Sequence, residues 1–443
     1  MKKYSFAIAA LCIILMLLLG ACGPKEQEIL QNLDSISAQV EMIETVYLGA
    51  VFPLTGTDSA RAPKIQAALE LAVDIINNQH DIPWDLARAE GLLNYGNAHV
   101  EVIFSDCQSN VLTASYAAEE LLDMGVVGLL GAYSIDYTPP VASRAYVHHI
   151  PMVCGSARSP RLTDGETYGF AQFFNRISPT SEQESQLFFE MIHHVNQTQN
   201  AGIEKLALVY PDSAYGQQVL ESFDENAAAG NYQVVARIAY PAGQENLAVE
   251  VSRAIANEPD VIFQAVGNEE ELLRFAQTYV ASLYEPSFLL TYGSHYFQPS
   301  LLRELEEQDV DYFAGIRFFD PMSVYVPEDS GIIGITPEEE PQDTEDKLDN
   351  EILEYINNLY FAKTGENMDN DALMEFASVI VFAQAVNAIG TTEPEALAAA
   401  LKELTFDAPY LYGRSIDFDE NGQNILPPGY IARIVDGKFA LFY

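Results

Sequence analysis

Residues 126–163 constrain the fold of this chain more than any other stretch. Two short apolar runs, Val126–Leu130 and Ile150–Cys154, flank an alanine-rich segment with a helical pattern. Continuous apolar runs of this length are typical of parallel strands buried on both faces. Each run ends in a loop of small and polar residues. The pattern predicts two neighbouring parallel strands whose loops leave their carboxyl ends, the edge where open α/β sheets bind small molecules.

The same alternation of strand and helix extends over most of the chain, at the spacing of βαβ units. Further strands are predicted at Val46–Pro53, Val100–Phe104, Leu206–Tyr210, Gln233–Ile238, Val261–Ala265 and Phe288–Thr291. This repetition predicts an α/β fold with two doubly wound, Rossmann-like lobes instead of one continuous sheet. The segment 81–96 is longer than a typical connection, so it is interpreted as a surface insertion.

The last third of the chain changes in composition. Residues 326–350 carry nine acidic side chains and one lysine, which is typical of a solvated surface loop. Amphipathic helices are predicted over 351–361, 371–389 and 397–404, and a terminal hairpin over 430–435 and 439–443. No spacing of His, Cys, Asp or Glu along the sequence indicates a metal site.

The first residues are predicted to form a signal for export, not a part of the folded protein. A basic start is followed by an apolar run over 6–21 that ends in Leu19-Gly20-Ala21-Cys22. This run is short for a membrane span and fits a signal peptide over residues 1–21. The final motif resembles a bacterial lipobox, so we expect Cys22 to carry a lipid that anchors the protein outside the cell membrane. Residues 22–45 are then a polar tether.

Charge and cysteine content narrow the function further. The formal net charge of −42 argues against nucleic acid as a partner and against charge-driven binding to an anionic membrane. Beyond Cys12 and Cys22, only Cys107 and Cys154 remain. Each ends a predicted strand, and in the fold proposed below two other strands would separate them. Two free thiols are therefore expected.

The order of several short motifs resembles the leucine/isoleucine/valine-binding protein family of bacterial ABC-transporter solute receptors, from about Val46 to the C-terminus. The motifs are Pro53-Leu54-Thr55-Gly56, Gly131 with Ser134, Ile150-Pro151, Ser159-Pro160-Arg161-Leu162-Thr163, Phe174-Asn175-Arg176, Gln183, Tyr215-Gly216, Pro259-Asp260-Val261-Ile262 and Phe418-Asp419-Glu420-Asn421-Gly422. The resemblance implies a type I periplasmic-binding fold, in which three crossings join the lobes in a hinge. The first lobe would take 46–176 and 297–405, and the second 177–296 and 406–443.

The resemblance implies an extracytoplasmic binding lipoprotein, without a cofactor and most simply a monomer, that passes a small organic anion or amino acid to an ABC permease. The alternative is the ligand-sensing subunit of a membrane receptor with no import role. Carried over by motif, the ligand-binding residues would be Arg61, Tyr133, Ser134, Ser156, Ala157, Arg158, Tyr215, Gln264 and Tyr292.

The two arginines in this set bear on the charge of the ligand. A buried guanidinium needs an anionic partner, and its planar fork suits a carboxylate. Members that bind amino acids commonly place an acid on the loop after the strand that corresponds to Phe288–Thr291, and this chain has none there. These features favour an anion held chiefly by Arg158. Pairing of Arg158 with an acid of the protein stays open, as does an amino acid whose ammonium contacts Glu269 or Asp212.

Catalysis is not expected. The adjacent histidines at 148–149 and 193–194 lie in predicted helices, where neighbours in sequence do not share a face. The chain has no Gly-x-Ser-x-Gly motif, no metal-binding histidine cluster and no glycine-rich phosphate loop after a strand.

Overall fold

The structure, a computed structural model, describes residues 45–292 apart from 242, 267–268 and 285, residues 316–320, and residues 344–441 apart from 412–413, 426–429 and 436–437. The signal peptide, Cys22 and the tether expected from the sequence lie outside these residues. So does most of the acidic stretch 326–350, although its last residues, from Thr344, begin a helix instead of continuing a loop.

The first sheet has five parallel strands in the order β2-β1-β3-β4-β5. These strands are β1 (Thr45–Phe52), β2 (His99–Asp106), β3 (Gly128–Gly131), β4 (Met152–Cys154) and β5 (Phe174–Arg176). The sequence analysis did not predict β5. Cys154 ends β4 and Cys107 follows β2, so β1 and β3 lie between them. Both thiols are buried and free, as predicted.

Four helices connect these strands: α1 (Ala62–Asn77), α2 (Asp85–Arg88), α3 (Val111–Asp123) and α4 (Thr138–Val147). Short 3-10 turns lie at Ser59–Arg61, Leu93–Tyr95, Pro160–Leu162 and Ala171–Phe173. The interpretation of 81–96 as a surface insertion is wrong. Its apolar side chains, among them Ile82, Trp84 and Leu92, are buried in the core of the first lobe, which explains why the segment carries α2 and a 3-10 turn.

The second half repeats the pattern with α5 (Ser181–Gln199), β6 (Lys205–Pro211), α6 (Ala214–Ala229), β7 (Gln233–Tyr240), α7 (Ala248–Ile255), β8 (Val261–Ala265), α8 (Glu269–Ser282) and β9 (Phe288–Tyr292). The helix α5 begins with a capping box between Thr180 and Gln183, in which each side chain accepts a hydrogen bond from the other residue's backbone N–H. The expected βαβ order of the second half is present; β6, β8 and β9 are almost entirely buried, whereas β7, at the edge of the sheet, is partly exposed.

The last segment comprises β10 (Ile316–Asp320), α9 (Thr344–Thr364), α10 (Asn370–Ile389), α11 (Pro394–Glu403), β11 (Phe406–Asp407), β12 (Ser415–Ile416), β13 (Tyr430–Val435) and β14 (Lys438–Leu441). The seven-stranded second sheet has the order β14-β13-β10-β9-β8-β6-β7. The terminal hairpin β13–β14 is antiparallel, as predicted, and β11 pairs with β12 separately.

The helix α10 is the central helix of the first lobe and is not amphipathic, contrary to expectation. Nearly every residue from Asn370 to Val386 is buried, because α1 and the first sheet cover it from different sides. Among the described residues it is the one helix long and apolar enough to cross a membrane, and 78% of its most apolar window is buried inside the protein. A core helix meets that description.

The observed pairing divides the chain differently from the lobe boundaries expected from the sequence. Strand β10 lies within 297–405, yet it pairs with β9 and β13 in the second sheet. Residues 406–418 were expected in the second lobe, but Phe406, Ile416 and Phe418 are buried in the core of the first. Residues 316–320 therefore belong to the second sheet, and residues as late as Phe418 belong to the first core.

Two of the crossings between the lobes are bonded to each other. Arg176, fully buried, forms an isolated parallel bridge with Gln423, and its guanidinium donates to the side chains of Gln423 and Thr163 and to the carbonyl of Ser159. Asn424 donates from its backbone to Arg176 and from its amide to the Ile177 carbonyl. We call this contact between residues 176–177 and 423–424 the joint. The motif Phe174-Asn175-Arg176 ends in it, and the motif Phe418–Gly422 directly precedes it.

Candidate functional site

A cavity of about 330 Å³ lies between the carboxyl ends of the two sheets. Loops of the first lobe after β1, β3 and β4 line one side, together with the start of α10. Loops of the second lobe after β6, β7 and β8 line the other. The lining residues are Asp58, Tyr133, Ser134, Ile135, Asp136, Ser156, Arg158, Ser159, Pro211, Ser213, Ala214, Tyr215, Gln218, Gly243, Val266, Glu271 and Asp371. Its size and position between lobes are typical of a small-molecule site.

The loop after β3 enters the cavity through a backbone conformation that needs glycine. Gly131 has φ +111°, and a Cβ there would lie 2.3 Å from the Val51 carbonyl oxygen. The chain then turns so that Tyr133, Ser134 and Asp136 line the cavity. Tyr133 is half-buried, and burial raises the pKa of its phenol, so the ring presents a neutral hydroxyl.

Arg158 lines the cavity from the loop after β4, with 7% of its surface exposed. Its Nη1 lies 2.6 Å from Glu184 Oε1, and its Nη2 lies 3.3 Å from Asp371 Oδ1. Both carboxylates are buried, and their charges hold the pKa of the guanidinium above its usual range despite the opposing effect of burial. Arg158 therefore does not need a ligand anion to balance its charge, contrary to the reason for which the sequence favoured one.

Arg61 has an ion pair of the same kind. Its Nη2 lies 2.7 Å from Asp369 Oδ2 and its Nε 3.5 Å from Asp371 Oδ2. Asp371, at the start of α10, thus contacts both arginines and ties the loop after β1 to the loop after β4. Arg61 is not among the described residues that line the cavity. Arg61 lies behind the lining residues and holds Asp369 and Asp371 through these ion pairs. The sequence had predicted that it contacts the ligand.

Glu375 lies one helical turn after Asp371 and supports the loop after β4 from below. It is fully buried, and Ser156 Oγ donates to its Oε1 at 2.6 Å. Burial, with the negative charge of Asp371 nearby, raises the pKa of this carboxyl to about 8. Glu375 is therefore mostly protonated near neutral pH, and it holds Ser156 at the cavity without adding a full negative charge.

The second lobe contributes an aromatic side chain and an acid. Tyr215 lines the cavity from the first turn of α6, whose cap, Ser213, accepts from the Gly216 backbone N–H. A Cβ on Gly216 would lie 1.8 Å from the Pro211 carbonyl oxygen, which explains the glycine of the Tyr215-Gly216 motif. Glu271, 1% exposed in the first turn of α8, accepts from the Tyr240 hydroxyl and the Gly243 N–H.

Three other residues expected in the site have internal roles. Gln264 is buried in β8 and donates to Thr291 Oγ1 at 2.5 Å. Tyr292 is buried among the aromatic rings of the second core, and its hydroxyl donates to Ser185 Oγ at 3.0 Å. The carbonyl of Ala157 accepts from Ser178 Oγ, and its methyl group packs in the core. None of the three is among the described lining residues, whereas Tyr133, Ser134, Ser156, Arg158 and Tyr215 are.

The sequence analysis missed all four carboxyl groups of the lining, Asp58, Asp136, Glu271 and Asp371. A signal existed for three of them, because each lies within a few residues of the carboxyl end of a predicted strand. Asp371 had no such signal, since α10 follows the strands of both lobes in the chain and reaches the cavity only through packing. Arg158 is the one cationic side chain among the described lining residues.

This composition weakens the argument for an anionic ligand. Two guanidinium groups, Arg61 and Arg158, are already paired with three carboxylates at 369, 371 and 184. The described lining itself holds four carboxyl groups, at 58, 136, 271 and 371, and one cationic side chain, Arg158. A site with an excess of carboxylates attracts a ligand that carries a cationic group.

Comparisons with known proteins agree with this architecture. A family model described as periplasmic binding protein matches residues 45–438. The Leu/Ile/Val-binding protein homolog 8 of Brucella suis is 23% identical over 415 residues, covering 92% of this chain and 93% of that protein. The homolog 8 of Brucella abortus is 23% identical over 404 residues, covering 90% of each.

Solved structures share the fold at low identity. The branched-chain amino acid transporter substrate binding protein LivJ of Streptococcus pneumoniae, in complex with isoleucine, matches with a TM-score of 0.67 and 18% identity over 90% of this chain and 99% of that one. A solute binding protein of an ABC transporter from Rhodopseudomonas palustris, in complex with 3,4-dihydroxybenzoic acid, matches with a TM-score of 0.67 and 18% identity over 90% and 96%.

The fold class predicted from the sequence and the resemblance to the Leu/Ile/Val-binding proteins are thus confirmed. The family model spans both sheets apart from most of β14, their connecting helices and all the described loops that line the cavity. The chain belongs to the periplasmic binding protein family.

Proposed function

We propose that this protein is an extracytoplasmic solute-binding component of an ABC importer that captures an amino acid between its lobes and delivers it to a membrane permease. The observation that carries the proposal is the inter-lobe cavity, lined from both lobes by tyrosines, serines and an excess of carboxyl groups. Relatives with this fold are described as binding isoleucine or an aromatic acid. Of these two classes, the carboxyl groups favour the one that carries an ammonium.

The polar groups suggest how such a ligand would bind. The rings of Tyr133 and Tyr215, one on each lobe, provide apolar walls with neutral hydroxyls. Ser134 offers a hydroxyl beside them for the ligand carboxylate. Glu271, fixed by Tyr240 and Gly243, would accept from the ammonium. Contacts from both lobes would favour a closed arrangement.

A thermal-shift and calorimetric screen tests the proposal. The twenty standard amino acids should include at least one that raises the melting temperature, because a ligand that binds only the native state stabilises it. Glu271→Gln should weaken that ligand by about tenfold or more, the effect of losing a charge-assisted hydrogen bond. Asp212→Asn is the matched control, since Asp212 is exposed and adjacent to the lining but outside it. Stabilisation only by aromatic acids or sugars would contradict the proposal.

The same proposal includes a lipid anchor on Cys22, which rests on the Leu19-Gly20-Ala21-Cys22 motif. The Cys22→Ser protein should lose incorporation of labelled fatty acid and should leave the membrane fraction or keep its signal peptide. Cys12→Ser, inside the signal peptide, is the control and should be processed normally. A Cys22→Ser protein that is cleaved, labelled and anchored like the parent would contradict lipidation there.

A further inference from the structure

The carboxyl groups of the cavity lie in two places, one on each lobe. Glu271 belongs to the second lobe, at the start of α8. Asp58 and Asp136 belong to the first lobe, in the loops after β1 and β3. The Tyr137 hydroxyl donates to Asp58 Oδ2 at 2.5 Å and fixes that carboxylate. A single ammonium next to Glu271 would leave the acidic pair of the first lobe without a cationic partner.

The two carboxyl groups of the first lobe, Asp58 and Asp136, interact unfavourably with each other. Asp136 is an exposed residue of the cavity wall; its partial desolvation there and the negative charge of Asp58, which also lines the cavity, raise the pKa of its carboxyl. The salt bridges of the described residues assign no lysine or arginine to either of them. A cation placed between Asp58 and Asp136 would remove this repulsion.

A second, independent feature of the same cavity favours a polar ligand. Ser159 is 2% exposed and lines the cavity, and its hydroxyl has no hydrogen-bond partner among the described residues. Leaving a buried hydroxyl unbonded costs about 1–3 kcal/mol. A ligand group that hydrogen-bonds Ser159 would recover that energy.

We propose that the ligand carries two separated cationic nitrogen groups, one held by Glu271 of the second lobe and the other by Asp58 and Asp136 of the first. The chemical class is a basic amino acid or a diamine with a chain of similar length. This inference rests on the proposed function, because it assigns a finer ligand class to the same cavity. A ligand that links acids on opposite lobes would also favour their closed arrangement.

Calorimetry with matched ligands tests the number of charges. Lysine and norleucine differ only in the terminal ammonium, Nε-acetyl-lysine keeps the length without the charge, and cadaverine lacks the carboxylate. Lysine, ornithine or arginine should bind at least about tenfold more tightly than norleucine and Nε-acetyl-lysine. Cadaverine or putrescine binding more tightly than the amino acids would support two cationic groups in the ligand and would contradict the amino acid of the proposed function.

Variants then locate the second charge. Asp136→Asn and Asp58→Asn should each weaken the dicationic ligand by about tenfold and leave any norleucine binding within about twofold. Asp212→Asn is again the control. If norleucine or leucine binds as tightly as lysine and Asp136→Asn has no effect, the two-cation inference is overturned while the proposed function stands. If no amino acid or amine binds, both fail.

Discussion

Arg158→Met should lower the free energy of unfolding of the ligand-free protein by about 3–5 kcal/mol, the usual effect of breaking a buried ion pair from one side. The substitution keeps the length and apolar stem of the side chain. It removes the cation that both Glu184 and Asp371 contact at 2.6 and 3.3 Å, and both carboxylates are buried. Urea unfolding followed by circular dichroism measures the change.

The matched control is Arg161→Met, three residues later in the same loop. Arg161 contacts Glu221 at 3.3 Å, but the two side chains are 50% and 60% exposed, so its loss should change stability by no more than about 1 kcal/mol. The double variant Arg158→Met/Glu184→Gln should recover part of the lost stability, because one buried charge is removed with its partner. Equal effects of the two arginine variants would show that Arg158 is not held by a buried pair.

Glu375→Gln should stabilise the protein increasingly as the pH rises from about 5 to 8. Burial raises the pKa of this carboxyl from 4.5 to about 8 in the folded protein. Between these values the unfolded chain releases the proton while the folded protein keeps it, so the wild type loses stability with rising pH. Each tenfold change in proton affinity corresponds to about 1.4 kcal/mol, so the loss amounts to a few kcal/mol. Glutamine resembles the protonated acid and still accepts from Ser156.

Unfolding free energies of the two proteins at several pH values check this expectation, because the difference between them isolates Glu375 from the other titrating groups. The difference should be near zero at pH 4, grow until about pH 8, and stay level above it. Glu395→Gln serves as the control. Glu395 is exposed beside His149, and the pKa of its carboxyl is lowered by a backbone N–H and the histidine, so any slope should have the opposite sign. A pH-independent difference for Glu375→Gln would contradict a raised pKa.

The sequence was sufficient for most of the long strands and for several of the loops that line the cavity. Buried parallel strands produce apolar runs such as 206–210 and 261–265, and their loops are adjacent in the sequence, so the lining positions Tyr133, Ser134 and Tyr215 could be predicted from local pattern. Reliance on local sequence pattern also explains why two of the predicted positions, Gln264 and Tyr292, are not among the described lining residues. Gln264 and Tyr292 lie near strand ends, but Gln264 donates to Thr291 of the next strand and the Tyr292 ring packs in the second core. A one-residue change of position along a strand reverses the direction of a side chain.

The partners of the arginines could not be predicted, because they come from distant parts of the chain. Asp371 lies 213 residues after Arg158, and no local pattern shows that α10 passes beneath the loop after β4. The charge of the site depends on such pairs. The sequence showed two arginines near the cavity and predicted an anion. Packing brought Asp369, Asp371 and Glu184 to them, so neither arginine needs a ligand anion to balance its charge.

The joint between the crossings is formed by hydrogen bonds between residues 176–177 and 423–424. A change there should alter the strength of binding without altering the preference among ligands. None of these four residues is among the described lining residues. If a binding-competent arrangement is only partly populated, the apparent dissociation constant scales with that population for every ligand alike. Changes at the joint should therefore alter the affinity for all ligands by a similar factor, whereas changes at the cavity wall alter selectivity, and the two properties can evolve or be engineered independently.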